Sequence, residues 1–256
     1  DDGTLWRHQI EFLAQKGYRV ICPDWPAHGR SAVPDKISRG NRFRLAEDTI
    51  TMMDQLGIEK AHLIAHDYGA TVSWETAALY GHRFHTYVAL SVGHSFAILR
   101  ELFRGHLLHY YWLIWHGMSA ARTLYLADNA KRFRRAFARH PDADYVLEKL
   151  RGDGDKTFFT IWERSNPAGP IIWDWITGKI RKVQIPTFAI YSEADCWMTE
   201  EQMTYSRRYV DAEWRYALVK DCDHWLQLER PEEINQLLER WLREHPAPEP
   251  SRAGAR

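Results

Sequence analysis

The sequence predicts an α/β protein with a mostly parallel sheet, helices on both of its faces and an inserted helical lid. Three observations carry this. Short apolar runs at Ala61 to Ala65, Thr86 to Val92, Pro186 to Tyr191 and Trp214 to Val219 alternate with segments of helical period. That rhythm is the signature of parallel strands joined by helical crossovers. Between about Gly93 and Ile180 the strands stop and only helical patterns and polar turns remain. A chain of 256 residues with 45% hydrophobic content is also long enough to bury one sizeable core.

The elements follow in order. Leu5 to Ala14 has the spacing of an amphipathic helix, and Tyr18 to Cys22 reads as a buried strand. Pro23-Asp24-Trp25-Pro26-Ala27-His28-Gly29-Arg30-Ser31 is rich in turn formers and predicts a long loop. A helix follows over Phe43 to Leu56, stopped by Gly57, and then the Ala61 strand, a helix over Ala70 to Tyr80 and the Thr86 strand. In the insertion, Asp128 to Phe137, Ala143 to Leu150 and Lys156 to Arg164 have helical period. A helix over Glu200 to Tyr209 separates the last two strands, and Pro231 to Leu242 closes the fold with proline in its first turn. The division expected is a core at 1–92, a lid at 93–180, a second core segment at 181–245 and a Pro- and Ala-rich tail at 246–256, frayed at its end.

Composition excludes several classes. Formal net charge is zero, which gives no electrostatic case for nucleic acid or an acidic membrane surface. No apolar run approaches the roughly 20 residues of a membrane span, and no signal-peptide pattern opens the chain. Cys22, Cys196 and Cys222 form neither a metal nor a disulfide pattern, and the expected compartment is the cytoplasm. The 12 tryptophans suit an apolar ligand cavity as well as plain core packing.

Chemistry enters at Ala65-His66-Asp67-Tyr68-Gly69. A strand, a turn flanked by small residues and a helix make a nucleophile elbow. Its central side chain is here a carboxylate. Such a nucleophile suits attack on saturated carbon, which leaves an alkyl ester on the enzyme and points to epoxide opening or carbon–halogen hydrolysis. An aspartate there would also cap a helix. The Tyr68 backbone N–H, next after the nucleophile, is the expected oxyanion donor. His224, in a loop after the Trp214 strand, is the expected general base, activating water against the alkylated Asp67. Asp195, after the Pro186 strand, is the expected acid that orients His224; it would equally form a turn, and Glu193 is the reserve carboxylate. Cys196 and Cys222 flank these positions as small packing residues.

These residues resemble the α/β-hydrolase superfamily, in the branch of epoxide hydrolases and haloalkane dehalogenases. The resemblance covers nearly the whole chain. It rests on Trp6-Arg7, Pro23-Asp24 with Gly29-x-Ser31, His66-Asp67-Tyr68-Gly69, Tyr191-x-x-x-Asp195, and Asp223-His224-Trp225 before Pro231. It implies a triad of Asp67, Asp195 and His224, with no metal and no cofactor. The implied partners are a small apolar epoxide or halogenated substrate and water. Nucleic acid and membrane are not implied, and a homodimer is compatible with the resemblance.

The sequence departs from the family in three places. The first strands of the sheet, and the His-Gly-x-Pro loop that supplies half of the oxyanion hole, normally precede the stretch with which this chain opens, so it looks truncated. Family members bind the epoxide oxygen with two lid tyrosines. Tyr110-Tyr111-Trp112-Leu113-Ile114-Trp115 resembles one lid segment and makes Tyr111 the proton donor, but Glu163 stands where the second tyrosine is expected. Tyr111 would also suit aromatic packing, and Glu163 a solvated surface charge. At Tyr68 halide-gripping dehalogenases often carry Trp and fluoroacetate dehalogenases Arg. His66, Trp112, Trp115, Glu163 and Trp225 are the expected substrate contacts. The leading reading is epoxide hydrolysis to a vicinal diol, with hydrolytic dehalogenation as the alternative and a non-catalytic remnant of the fold as a third.

Overall fold

The computed structural model describes residues 1–105, 120–152 and 158–247, apart from the side chains of 158–160 and 163. At its centre are four parallel strands, β1 (Ala61–His66), β2 (Phe84–Leu90), β3 (Thr187–Ser192) and β4 (Trp214–Val219), lying side by side in chain order. The helices are α1 (Arg7–Gln15), α2 (Arg42–Gln55), α3 (Tyr68–Tyr80), α4 (Ser95–Phe103), α5 (Ala121–Ala136), α6 (Ala143–Gly152), α7 (Phe158–Ser165), α8 (Ala168–Ile176), α9 (Glu200–Tyr205), α10 (Leu226–Glu229) and α11 (Pro231–Glu244). The α/β architecture with a parallel sheet is therefore as the sequence predicts. Among the described residues no helix is long and apolar enough to cross a membrane.

The strands are buried on both faces because successive side chains point opposite ways and each face has its own helical cover. Tyr87, Ala89, Ala189 and Tyr191 pack with Ala70 and Trp74 of α3 and Met203 of α9. Their neighbours Val88, Leu90, Phe188 and Ile190 pack with Leu13 of α1 and Ile234, Leu238 and Trp241 of α11. Each large apolar side chain so buried contributes about 1.5–3 kcal/mol. Helix ends follow local chemistry. The Asn41 side chain accepts from Phe43 N at the start of α2, and Gly57 takes φ +65° just past its end. Pro231 opens α11, with Glu232 and Glu233 in its first turn.

Several expectations are corrected. Tyr18 to Cys22 is irregular and not a strand. A strand requires a neighbour to complete its hydrogen-bond ladder, and among the described residues none forms along this segment. Between it and the outer edge of β1 lies a cavity of about 720 Å³, lined there by Tyr18, Val20, Cys22, Leu63 and Ile64. Strand β2 ends at Leu90, short of Val92, since Ser91 takes φ +64°. The helix expected from Asp128 begins at Ala121 and is interrupted at Ala127–Ala130, where Asp128, Asn129 and Ala130 adopt left-handed backbone. The helix expected to reach Tyr209 tightens into a 3-10 turn over Ser206–Tyr209. Within 93–180 the described residues are helical or irregular, as expected, and add α4 and α8 to the segments the periodicity marked.

The Asp24 loop shows why its residue types recur together. The Asp24 carboxylate accepts from Gly3 N at 2.7 Å and Arg30 N at 3.1 Å, and Ser31 Oγ donates to the Asp24 carbonyl at 2.6 Å. Gly29 has φ +49°, and a Cβ there would stand 2.2 Å from Asp24 Oδ2. This loop forms part of the cavity wall near Asp67.

Candidate active site

Strand β1 delivers Asp67 to the carboxyl end of the sheet, where α3 begins immediately after it. Asp67 has φ 52° and ψ −125°, a backbone state that costs an L-residue of order 1–3 kcal/mol and persists where surroundings enforce it. The enforcement is visible. Ala70 is fully buried behind the turn, and Tyr87 Oη donates to its carbonyl at 3.0 Å. A Cβ on Gly69 would stand 3.9 Å from Ala65 Cβ, an ordinary contact, so the strain rests on the Asp67 backbone rather than on crowding at Gly69. The Asp67 side chain stays 43% exposed and faces the cavity.

His224 reaches the same point from the loop after β4. Its Nε2 stands 3.6 Å from Asp67 Oδ2, and its Nδ1 is 2.9 Å from Asp195 Oδ2. The His224 and Asp195 side chains are 3% and 0% exposed. Asp195 is held from the other side, since its Oδ1 accepts from Trp197 N at 2.8 Å and Met198 N at 3.0 Å. Glu193 is exposed and accepts from Asp221 N at 3.3 Å, away from His224. Of the two carboxylates in that turn, the fold brings only Asp195 to the histidine.

The electrostatics follow from this spacing. Burial alone would favour neutral His224, but the Asp195 and Asp67 carboxylates outweigh it and raise its pKa. Partial desolvation at the cavity wall would favour protonated Asp67, yet the facing His224 holds that carboxyl down at about 2. The resting pair is thus a carboxylate beside an imidazolium. Neutralising Asp67 would remove one of the two anions that keep the proton on His224 and so lower its pKa.

The other expected site residues divide. Tyr68 opens α3, and its ring lies 4.8 Å from that of Trp162 on α7. Trp225 is 3% exposed and stands edge-on to His224, against Phe137. His66, expected among the substrate contacts, lines the cavity but is 6% exposed, and its Nε2 is 2.8 Å from the His224 carbonyl. Tyr111, Trp112 and Trp115 lie outside the described residues, as does the side chain of Glu163. Cys222 is buried in the core cluster under α11 and burial pushes its thiol up to about 12, which fits packing; Cys196 is exposed.

Asp223 has no role in the sequence reading. Its Oδ1 accepts from Cys196 N at 3.0 Å and His224 N at 2.8 Å, which ties the Asp195 loop to the His224 loop. Its place directly before His224 was the only signal.

The model of the alpha/beta hydrolase fold family matches residues 1–231. The chain belongs to that family. Among curated α/β-hydrolase relatives, it is 24% identical over 270 residues to bifunctional epoxide hydrolase 2 of Sus scrofa, covering 93% of this chain and 48% of that protein. It spans about half the length of that relative and of its mouse and rat counterparts. It is 26% identical over 280 residues to epoxide hydrolase A of Mycobacterium tuberculosis, covering 93% of this chain and 85% of the other. Among solved structures of the fold, epoxide hydrolase A from Mycobacterium thermoresistibile superposes with a TM-score of 0.76 at 26% identity, over 95% of this chain and 88% of that one. A Bacillus megaterium epoxide hydrolase in complex with an inhibitor reaches 0.79 at 19% identity, over 95% and 90%, a likeness of fold alone.

Proposed function

We propose that this α/β-hydrolase opens an epoxide to a vicinal diol through an alkyl-enzyme ester on Asp67. The observation that carries the reading is a carboxylate at the elbow, facing His224 Nε2 across 3.6 Å with Asp195 behind the ring. A hydroxyl or thiol there would suit acyl transfer, whereas a carboxylate suits attack on saturated carbon. The names of the relatives support the same choice.

An Asp67 oxygen attacks an oxirane carbon, that carbon–oxygen bond breaks, and the freed alkoxide takes a proton from an acid. Tyr111 is our assignment for that acid, on the resemblance of its segment. Once the ester has formed, His224 gives up the Nε2 proton it carries at rest, which restores the Tyr111 phenol; water then attacks the ester carbonyl carbon while the freed Nε2 takes its proton. At 3.6 Å the two groups form an ion pair longer than a hydrogen bond, and the Asp67 carboxylate still faces the cavity. The Tyr68 N–H faces the tetrahedral oxyanion, and collapse releases the diol and restores the Asp67 carboxylate. Asp195 keeps Nδ1 protonated and stabilises the imidazolium.

Intact-protein mass spectrometry tests this. His224→Ala incubated with a styrene-type epoxide should gain the substrate mass at Asp67, because ester formation survives while hydrolysis fails. Asp67→Ala should gain none and turn nothing over. Bound substrate without any adduct in His224→Ala would count against the covalent route. Brisk halide release from haloalkanes with no diol from epoxides would transfer the assignment to dehalogenation.

A further inference from the structure

Two side chains from two strand ends converge on one backbone atom of His224. The His66 ring nitrogen Nε2 is 2.8 Å from the His224 carbonyl oxygen, and Ser91 Oγ donates to the same oxygen at 2.9 Å. A carbonyl only accepts, so His66 must carry its proton on Nε2. Both residues are buried, Ser91 completely. His66 directly precedes Asp67, so one strand end holds the candidate nucleophile and grips the candidate base. Ser91, at φ +64°, is itself anchored: its N–H donates to Ile190 O at 2.9 Å and its carbonyl accepts from Gln202 Nε2 at 3.0 Å. Gln202 also accepts from Gly93 N through Oε1. The ring of His224 is fixed from its far side by Asp195.

We infer that His66, with Ser91, is a positioning residue that clamps the His224 backbone to the ends of β1 and β2 and thereby sets the gap in which water meets the ester. This rests on the reading of His224 as the base. It reassigns His66 from a substrate contact to a residue acting through His224. The His66 ring lies 4.7 Å from that of His224, and burial together with the charge of His224 keeps it neutral, with its pKa at about 3. It can therefore donate without adding a cation beside the imidazolium.

The test compares His66→Leu, which removes the donor, His66→Gln, whose amide N–H can reach the same carbonyl, and Ser91→Ala, in the whole chain with unfolding monitored. Two readouts are needed. The first is independent of turnover: the titration and ring-proton resonances of His224 by NMR. They should move in His66→Leu and return towards wild type in His66→Gln. The second is single-turnover kinetics with an epoxide. His66→Leu should slow ester hydrolysis by up to about a hundredfold, the scale of an error of about 1 Å in placement. Alkylation should change less, and His66→Gln should recover most of the rate. An unmoved His224 signal in folded His66→Leu overturns the clamp whatever the activity. Equal loss of both steps, or no rescue by Gln, also overturns it. Absence of an adduct in wild type and His224→Ala, with the His224 signal responding as expected, sinks the functional reading and leaves the clamp standing.

Discussion

His224 lies between two carboxylates at unequal distances, with Asp195 Oδ2 at 2.9 Å and Asp67 Oδ2 at 3.6 Å. The nearer one is closed to solvent, and the farther one opens on the cavity. The short contact orients the ring, and the long one leaves the Asp67 carboxylate open to the cavity. The inequality separates the two carboxylates into different chemical tasks.

Asp195 should therefore matter far more than its neighbour. Asp195→Asn removes the acceptor that fixes the His224 tautomer and should slow ester hydrolysis by at least about a hundredfold. Glu193→Gln, on an exposed side chain, should change it by less than about threefold. Pre-steady-state kinetics on one epoxide ranks the two. The reverse order would move the acid role to Glu193.

The proton on His224 should respond to the charge at Asp67. Its pKa is raised above the usual histidine value, so its contribution to stability is fully present below about 6.5 and is lost as pH rises through the folded value. Asp67→Asn removes one of the two anions, so that folded value should fall and the loss should set in at lower pH. NMR titration of His224 and denaturant melts across pH 6 to 10 check both halves. An unchanged titration in Asp67→Asn would mean that Asp195 alone holds the proton.

The choice of leaving group turns on the insertion. An epoxide oxygen departs as a tethered alkoxide and needs a proton donor, whereas a halide needs only weak donors and would be repelled by a nearby carboxylate. Tyr111→Phe should lower kcat on a good epoxide by at least about tenfold, the low side of what a placed acid contributes. Glu163→Tyr should retain or raise it. A silent Tyr111→Phe alongside fast halide release would replace epoxide opening with dehalogenation.

The Asp24 loop should resist a single methyl group. Gly29→Ala places a Cβ against Asp24 Oδ2 and forces φ +49° on an L-residue, at a cost of about 1–3 kcal/mol. A drop in Tm or denaturant midpoint without a change in m-value reads this out. Unaltered stability would mean that Asp24 swings clear at no cost.

The sequence by itself determined what is local and periodic. The four strands, α2, α3 and α11 are legible because short apolar runs, segments of helical period, a stopping glycine and an opening proline are written in consecutive residues. The elbow was legible for the same reason, since its strand, turn and helix are contiguous. Only the tertiary structure decided what depends on partners distant in the chain. Tyr18 to Cys22 has the composition of a strand and is none, because a ladder needs a neighbour that composition does not report. Asp195 and Glu193 are two positions apart and equally acidic, yet only one meets His224, because the turn after β3 aims them oppositely. His66 is next to Asp67 in sequence, yet the strained turn at Asp67 leaves its carboxylate facing the cavity while His66 reaches the His224 carbonyl. Ser91 and Gln202 carry no motif, and Asp223 stood in one only as the neighbour of His224. Their work is hydrogen bonding across up to 133 positions of separation, and such a relation exists only once the sheet has assembled.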